Sequence, residues 1–269
     1  MVIGIDIGGS TTKIVGFDGQ NVCSPMMVNA GDPKTSAYGA LGRFLSENHL
    51  GLDDIKRIMV TGVGSSFLTK DMYGIPTCKV DEITAVGLGG RHLSGFDNVV
   101  VVSMGTGTAV IGVNSDDIAH IGGTGVGGGT IIGLCDKLVG VRSIEHIIGL
   151  AEQGDISKVD LTIGDISSEA ISNMNGSVTA SNFGKVSDLA SPSDLALGVV
   201  NMVFQTIGIV AVLAGRPRGM SRIVLTGNLS RIPMARGMFD AIGALYNAEF
   251  HIPQNSDFAT AIGAAIYGK

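Results

Sequence analysis

Near its start the chain reads Val2-Ile3-Gly4-Ile5-Asp6-Ile7-Gly8-Gly9-Ser10-Thr11-Thr12-Lys13-Ile14-Val15. An apolar run meets a carboxylate, two glycines and three hydroxyls, then a second apolar run carrying a lysine. Alternation and β-branched content on both sides of a Gly-Gly turn predict a β-hairpin. Gly8 and Gly9 let backbone approach a bulky anion, so that successive N–H groups face phosphate oxygens. Ser10, Thr11 and Thr12 add hydroxyl donors and Lys13 a positive charge, the alternative for Lys13 being a solvent-facing strand position. Asp6 is placed to hold a hydrated Mg²⁺, an ion that favours carboxylates, water and phosphate oxygens.

Two later segments repeat the theme. Asn98 to Val113 is a strand, a Gly105-Thr106-Gly107-Thr108 turn and a second strand. Two such hairpins could grip a phosphate chain from both sides, with Thr106 facing the transferring phosphoryl group. Arg222-Ile223-Val224-Leu225-Thr226-Gly227-Asn228 is a strand that ends in Thr-Gly-Asn. In open α/β sheets ligands lie beyond the carboxyl ends of strands, where glycine permits close approach.

The ordered trio resembles the phosphate-1, phosphate-2 and adenosine motifs of the actin-like ATPase superfamily. That resemblance implies an α/β, ribonuclease H-like fold: two lobes of mixed sheet flanked by helices, divided here at 1–95 and 96–269. Within the superfamily the chain resembles the type II pantothenate kinases. The residues that carry this are Gly4 through Lys13, Val80-Asp81-Glu82, Met104 through Thr108, and Gly123-Thr124-Gly125-Val126-Gly127-Gly128-Gly129-Thr130 continuing to Cys135. Ser181-Asn182-Phe183-Gly184, Gly227-Asn228 and Ala261-Ile262-Gly263-Ala264 complete the series. The resemblance implies ATP and Mg²⁺ as cofactors and phosphorylation of the pantothenate hydroxyl, the first step toward coenzyme A. It also implies a homodimer, with coenzyme A or its thioesters as feedback ligands.

Composition narrows the class. The 269 residues can bury a substantial core, and 45% hydrophobic with 16% charged residues excludes a disordered chain. A net charge of −6 without a basic stripe offers no footprint for nucleic acid. Three dispersed cysteines argue for reduced thiols and a cytoplasmic location. No signal peptide is expected ahead of the first strand. The apolar run Val199 to Ala214 is shorter than the ~20 residues of a membrane span and is interrupted by Asn201 and Gln205. It reads as a buried or interfacial helix, with no membrane partner.

Strands are expected near 2–7, 11–17, 22–28 and 55–60, with a helix over 33–48. Thr61 to Ser66 reads as a glycine-rich entry to another helix, and Asp81 begins a helix running to about Leu93. Beyond Phe96 come the second hairpin, a strand over 117–121 and a helix over 126–139. Residues 141–195 look like an insertion, and a long helix follows with Ser193 or Asp194 as its N-cap. Strand 222–226, helix 233–245, strand 248–252 and a final helix from about Ser256 close the chain.

Phosphoryl transfer needs positioning, charge neutralisation and an acceptor for the nucleophile's proton. Gly128, Gly129 and Thr130, near a helix start, would present free N–H groups to the nucleotide. Gly227 and Asn228 would border the adenosine. Asp81 and Glu82 open a helix, where a carboxylate also stabilises the dipole. Local physics does not separate the two as proton acceptor; the resemblance assigns Glu82. The family also carries an arginine ahead of its glycine-rich segment, on the substrate side, and this chain has His120 there. An imidazole offers fewer donors than a guanidinium and is largely neutral at pH 7. Two rivals therefore stay open: a kinase of another small hydroxyl compound, and a nucleotide-binding regulatory protein with little activity. His49, His92, His146 and His251 lack metal-ligand spacing.

Overall fold

The computed structural model describes residues 1–29, 31–167 and 176–269. Strands β1 (Val2–Ile7), β2 (Thr11–Phe17) and β3 (Val22–Asn29) form an antiparallel meander, followed by α1 (Pro33–Glu47). Strands β4 (Arg57–Thr61) and β5 (Thr77–Lys79) then add in parallel beside β1, giving the order β3-β2-β1-β4-β5. Helix α2 (Glu82–Ser94) follows.

The second half repeats the plan. Strands β6 (Val99–Met104), β7 (Thr108–Val113) and β8 (Ile118–Thr124) form a second meander. After it come α3 (Gly128–Val139), α4 (Ile144–Ala151), a small ribbon of β9 (Leu161–Thr162) and β10 (Thr179–Ser181) with α5 (Ile163–Ile166) between them, and α6 (Pro192–Gly215). Strand β11 (Arg222–Thr226), α7 (Ala235–Tyr246), β12 (Glu249–His251) and α8 (Ala259–Tyr267) complete the chain. The second sheet has the order β12-β11-β6-β7-β8, the same arrangement as the first.

Period-two burial orients each sheet. Ile3, Ile5 and Ile7 pack with α1 residues Leu41 and Phe44 on the outer face. Val15 and Phe17 face the other way, onto Ala261 and Ile262 of α8. In the second lobe Val99, Val101, Ile111 and Val113 pack with Val86 of α2, while α6 covers the outer face. The helices are thus exchanged: α8 covers the first sheet, α2 the second, and the two pack on each other between the lobes.

Local chemistry sets the helix ends. Asp32 caps α1 and Asp81 caps α2, each accepting the N–H of the residue three positions on. Gly95, at φ 70, ends α2 in the left-handed conformation that glycine adopts freely. Helix α6 corrects an expectation: its cap is Ser191, with Pro192 at the first helical position and Asp194 closing a capping box. Ser193 already lies inside the helix. With 24 residues, α6 exceeds the apolar run read from sequence. By length and composition it is the one helix among the described residues that could cross a bilayer, yet Val199, Val203, Phe204, Ile207 and Ala211 are buried in the second lobe's core. The stretch after Thr61 also departs from expectation, since Val63–Phe67 is a short 3-10 turn and not a longer helix.

Within the described part of 141–195, the buried carboxylate of Asp160 ties the β9–β10 ribbon to α6. Asp160 Oδ1 accepts the Phe183 N–H (2.9 Å), and Oδ2 accepts Asn201 Nδ2 (2.8 Å), Asn182 Nδ2 (3.1 Å) and the Thr179 hydroxyl (3.3 Å). A carboxylate removed from water needs such donors. The Ser-Asn-Phe-Gly motif therefore serves to fasten the ribbon to α6.

Candidate active site

Strand pairing assembles the cleft floor. Asp6 lies opposite Lys13 on β2 and opposite Thr61 on β4, so the three side chains share the inner face of the first sheet. Lys13 is only 6% exposed, and among the described residues its ammonium makes no ion pair or hydrogen bond. Its expected alternative, a solvent-facing strand lysine, is excluded. Burial holds its ammonium below the ordinary lysine range, against the opposing pull of Asp6 and Asp257 and with a smaller lowering from Arg231. Burial likewise pushes the Asp6 carboxyl up, with Lys13 opposing.

Glu82 is the first residue of α2 and is exposed. Its carboxyl is pushed above the ordinary range, first by desolvation and then by the charges of Asp6 and Asp81. Asp81 is occupied elsewhere: Oδ2 accepts both the N–H (2.9 Å) and the hydroxyl (3.0 Å) of Thr84. Capping accounts for Asp81, and Glu82 is the carboxylate left uncommitted, near enough to feel the charge of Asp6.

The first hairpin tip is closed by Gly8 N–H donating to the Thr11 carbonyl at 3.0 Å. Gly9 and Ser10 are exposed, and their N–H groups donate to no protein acceptor among the described residues. Thr12 is a correction. Adjacent to Lys13 on a strand, it points to the opposite face, where it is 0% exposed with its hydroxyl unpartnered. It does not reach the cleft, whereas Thr11 shares the face of Lys13.

The second tip is built by α3. Gly105 N–H donates to the Gly107 carbonyl, and the N–H groups of Gly128 and Gly129 donate to the carbonyls of Gly105 and Thr106, all at 2.9 Å. Thr130 N–H goes to Gly127. These N–H groups are therefore not free for a nucleotide, contrary to the reading of Gly128, Gly129 and Thr130 above. Their work is to clamp the turn, and glycine is required for it: a Cβ at Gly127 would lie 2.6 Å from the Thr106 oxygen. Thr106 itself is exposed at the tip, with its methyl seated over Gly129.

Matching Thr-Gly turns follow β4 and β11. Gly62 (φ 82) crosses the end of β1, where a Cβ would lie 2.5 Å from Asp6 Oδ1; Gly227 (φ 86) crosses the end of β6, 2.5 Å from the Met104 oxygen. Only glycine suits both the positive φ and the contact. Gly227 N–H donates to the Ser256 carbonyl at 3.1 Å, and Asn228 is exposed beside it. Gly62, Arg231 and Asp257 were missed from sequence. The Thr-Gly dipeptide after an apolar strand, present in both lobes, was an available signal for Gly62.

His120 reaches the cleft side through a β-bulge. The register between β7 and β8 slips at Val110/Ile111, leaving Ile121 unpaired and setting His120 opposite Ile111. It thus lies on the face covered by α2, which begins at Glu82, with Nε2 3.6 Å from where a Cβ of Gly123 would stand.

Against known proteins, the sequence pattern of the Fumble family matches residues 96–237. The chain belongs to the Fumble family. A type II pantothenate kinase of Bacillus cereus (strain AH820) is 30% identical over 244 residues, spanning 84% of this chain and 82% of that protein. Among solved structures, the activator of 2-hydroxyisocaproyl-CoA dehydratase from Clostridium difficile with bound ADPNP superposes with a TM-score of 0.68 at 18% identity, over 99% of this chain and 93% of that one. A ROK family glucokinase from Streptomyces griseus, in complex with glucose and AMPPNP, gives 0.65 at 12% identity, over 98% and 97%. The Fumble chain thus has the actin-like ATPase fold. Because an activator and a sugar kinase share that fold, it does not by itself select a reaction.

Proposed function

We propose that the chain transfers the γ-phosphoryl group of ATP·Mg²⁺ to the hydroxyl of pantothenate. The observation that carries this reading is the pairing of Asp6 with Lys13 on the inner face of the first sheet, with Glu82 at the start of α2 near enough to feel the charge of Asp6, between two phosphate-type hairpins. The name shared by its relatives supports the choice of alcohol. In this reading the alcohol oxygen bonds to the γ-phosphorus, the bond to the β–γ bridging oxygen breaks, and Glu82 receives the alcohol proton. Lys13 and the open N–H groups of the tips meet phosphate charge.

Among the described residues no cluster of three or more His, Cys, Asp or Glu side chains could hold a metal by protein ligands alone. A partly accessible carboxylate beside a second one still suits Mg²⁺, which completes its shell with water and phosphate oxygens. Bound there through Asp6, the ion would supply charge neutralisation at the β- and γ-phosphates.

His120 favours a second reading, phosphorylation of a different small hydroxyl compound, because the family's arginine is absent. Purified protein incubated with ATP and pantothenate, pantetheine or sugars separates the two. Pantothenate-dependent ADP release with phosphopantothenate as product is expected. ADP release with another alcohol alone would select the second reading, and nucleotide binding without any product would select a regulatory protein.

A further inference from the structure

Each lobe has a parallel strand ending in Thr-Gly, and the two threonines are satisfied differently. Thr226 stands opposite Ser103 of β6, is 0% exposed, and donates its hydroxyl to the Val102 carbonyl at 3.1 Å. Thr61 stands opposite Asp6 of β1 and is likewise 0% exposed. The matching acceptor beside it is the Ile5 carbonyl, yet its hydroxyl has no hydrogen-bond partner among the described residues. A buried hydroxyl left unpaired is costly, and valine in its place would have the same shape without the cost. Packing therefore does not account for it.

The surroundings of Thr61 leave one acceptor side chain. Along β4 its same-face neighbour is Met59, and the Val80 N–H, donating to the Val60 carbonyl, sets Val80 on its far side; both belong to one apolar cluster. The neighbour on the near side is Asp6. Its carboxylate leans toward the Thr61–Gly62 turn, where a Cβ on Gly62 would stand 2.5 Å from Oδ1. Among the described residues that carboxylate receives no hydrogen bond. A buried donor without an acceptor thus adjoins a carboxylate without a donor. Thr12, whose hydroxyl is also buried and unpaired, stands opposite Ile7 on the other face and offers no such match.

We propose that Thr61 is a positioning residue for Asp6: a turn about χ1 brings its hydroxyl onto one carboxylate oxygen and leaves the other free for the Mg²⁺ of the bound nucleotide. Staggered wells 120° apart exchange the hydroxyl and methyl of threonine, and a hydroxyl donating to a carboxylate makes a charge-assisted bond. Partners of this kind, one step removed from the ion, typically change metal affinity by about 10- to 100-fold. This rests on the assignment of Asp6 to Mg²⁺ in the proposed function and not on the identity of the alcohol.

The test is calorimetry with a non-hydrolysable ATP analogue over a range of Mg²⁺ concentrations, alongside thermal melting of the ligand-free protein. Thr61→Val should need about 10-fold more Mg²⁺ for half-maximal strengthening of analogue binding. Its ligand-free form should melt no lower than wild type, because the hydroxyl removed was unpaired. Thr61→Ser, which keeps the hydroxyl, should restore the wild-type Mg²⁺ requirement. An unchanged requirement in Thr61→Val would overturn the proposal, as would failure of Thr61→Ser to restore it. So would a Thr61→Val protein that melts below wild type, since the hydroxyl would then be holding β4 to the Ile5 carbonyl as Thr226 holds β11 to β6. A wild type that binds the analogue equally with and without Mg²⁺ would overturn the Asp6 assignment too. A Mg²⁺-dependent wild type with an indifferent Thr61→Val would overturn this proposal alone.

Discussion

Gly89 of α2 packs so closely on Ala259 of α8 that any Cβ at position 89 would overlap the Ala259 carbonyl oxygen. The reciprocal contact sets Gly263 of α8 against the Ala85 carbonyl. Both obstacles are backbone, which cannot rotate away as a side-chain tip would. Gly89→Ala should therefore destabilise the protein by about 3 kcal/mol, the upper range of overpacking, despite the gain in helix propensity. Urea denaturation would measure it. An unchanged midpoint would mean that the two helices can slide apart without cost.

Glu82→Gln should lower turnover by ~10²-fold or more while nucleotide affinity stays nearly intact. Desolvation, Asp6 and Asp81 raise the Glu82 carboxyl, so the acid limb of the wild-type rate profile should lie above the ordinary glutamate range. Stability has the opposite sense. A carboxyl with a higher pKa folded than unfolded holds its proton more tightly in the native state. Stability then falls as pH rises from the unfolded to the folded value. Ligand-free Glu82→Gln should accordingly melt no lower than wild type at neutral pH, and any gain should vanish in acid. Full activity in this variant would move proton transfer to another group.

Gly127→Ala probes the clamp on the second hairpin. The position is extended, at φ −179, so its backbone conformation suits alanine. The obstacle is contact with the Thr106 oxygen and Gly107. Displacement of the turn should weaken ATP binding by roughly tenfold, the scale of one lost charge-assisted hydrogen bond, with far-UV circular dichroism unchanged. Normal affinity would show that the turn yields locally.

His120→Arg should maintain or raise pantothenate turnover, because a permanent charge there would meet developing phosphoryl charge. Phosphopantothenate formation, followed by mass spectrometry, is the readout. Absence of product from wild type and variant alike, with ATP bound normally, would remove pantothenate from the account and leave the fold.

The strands of both meanders were legible because each is an apolar, largely β-branched run set beside a glycine-rich tip. Asp81 and Glu82 were legible as a pair, and capping geometry divided their roles. Thr12 was legible in principle, since neighbours on a strand face opposite ways and Lys13 took the cleft side. The cap of α6 was not, because Ser191, Ser193 and Asp194 are all capable acceptors and the choice depends on Pro192 entering the helix. The use of the Gly128 and Gly129 N–H groups was hidden too, as primary structure names donors without naming acceptors. Asp257 and Arg231 meet only through the β11–β12 crossover, a tertiary relationship that local pattern does not encode.

The exchange of α2 and α8 gives synthesis of this chain a timetable. The strands that emerge first lack their inner cover until residues 259–267 arrive, some 240 residues after β2 is complete. Until then Val15, Phe17 and Gly4 present a bare apolar face. The nascent amino-terminal half should consequently remain a client of chaperones through nearly all of translation, and ribosome-bound chains halted before Ala259 should be far more open to protease at β1 and β2 than the released protein.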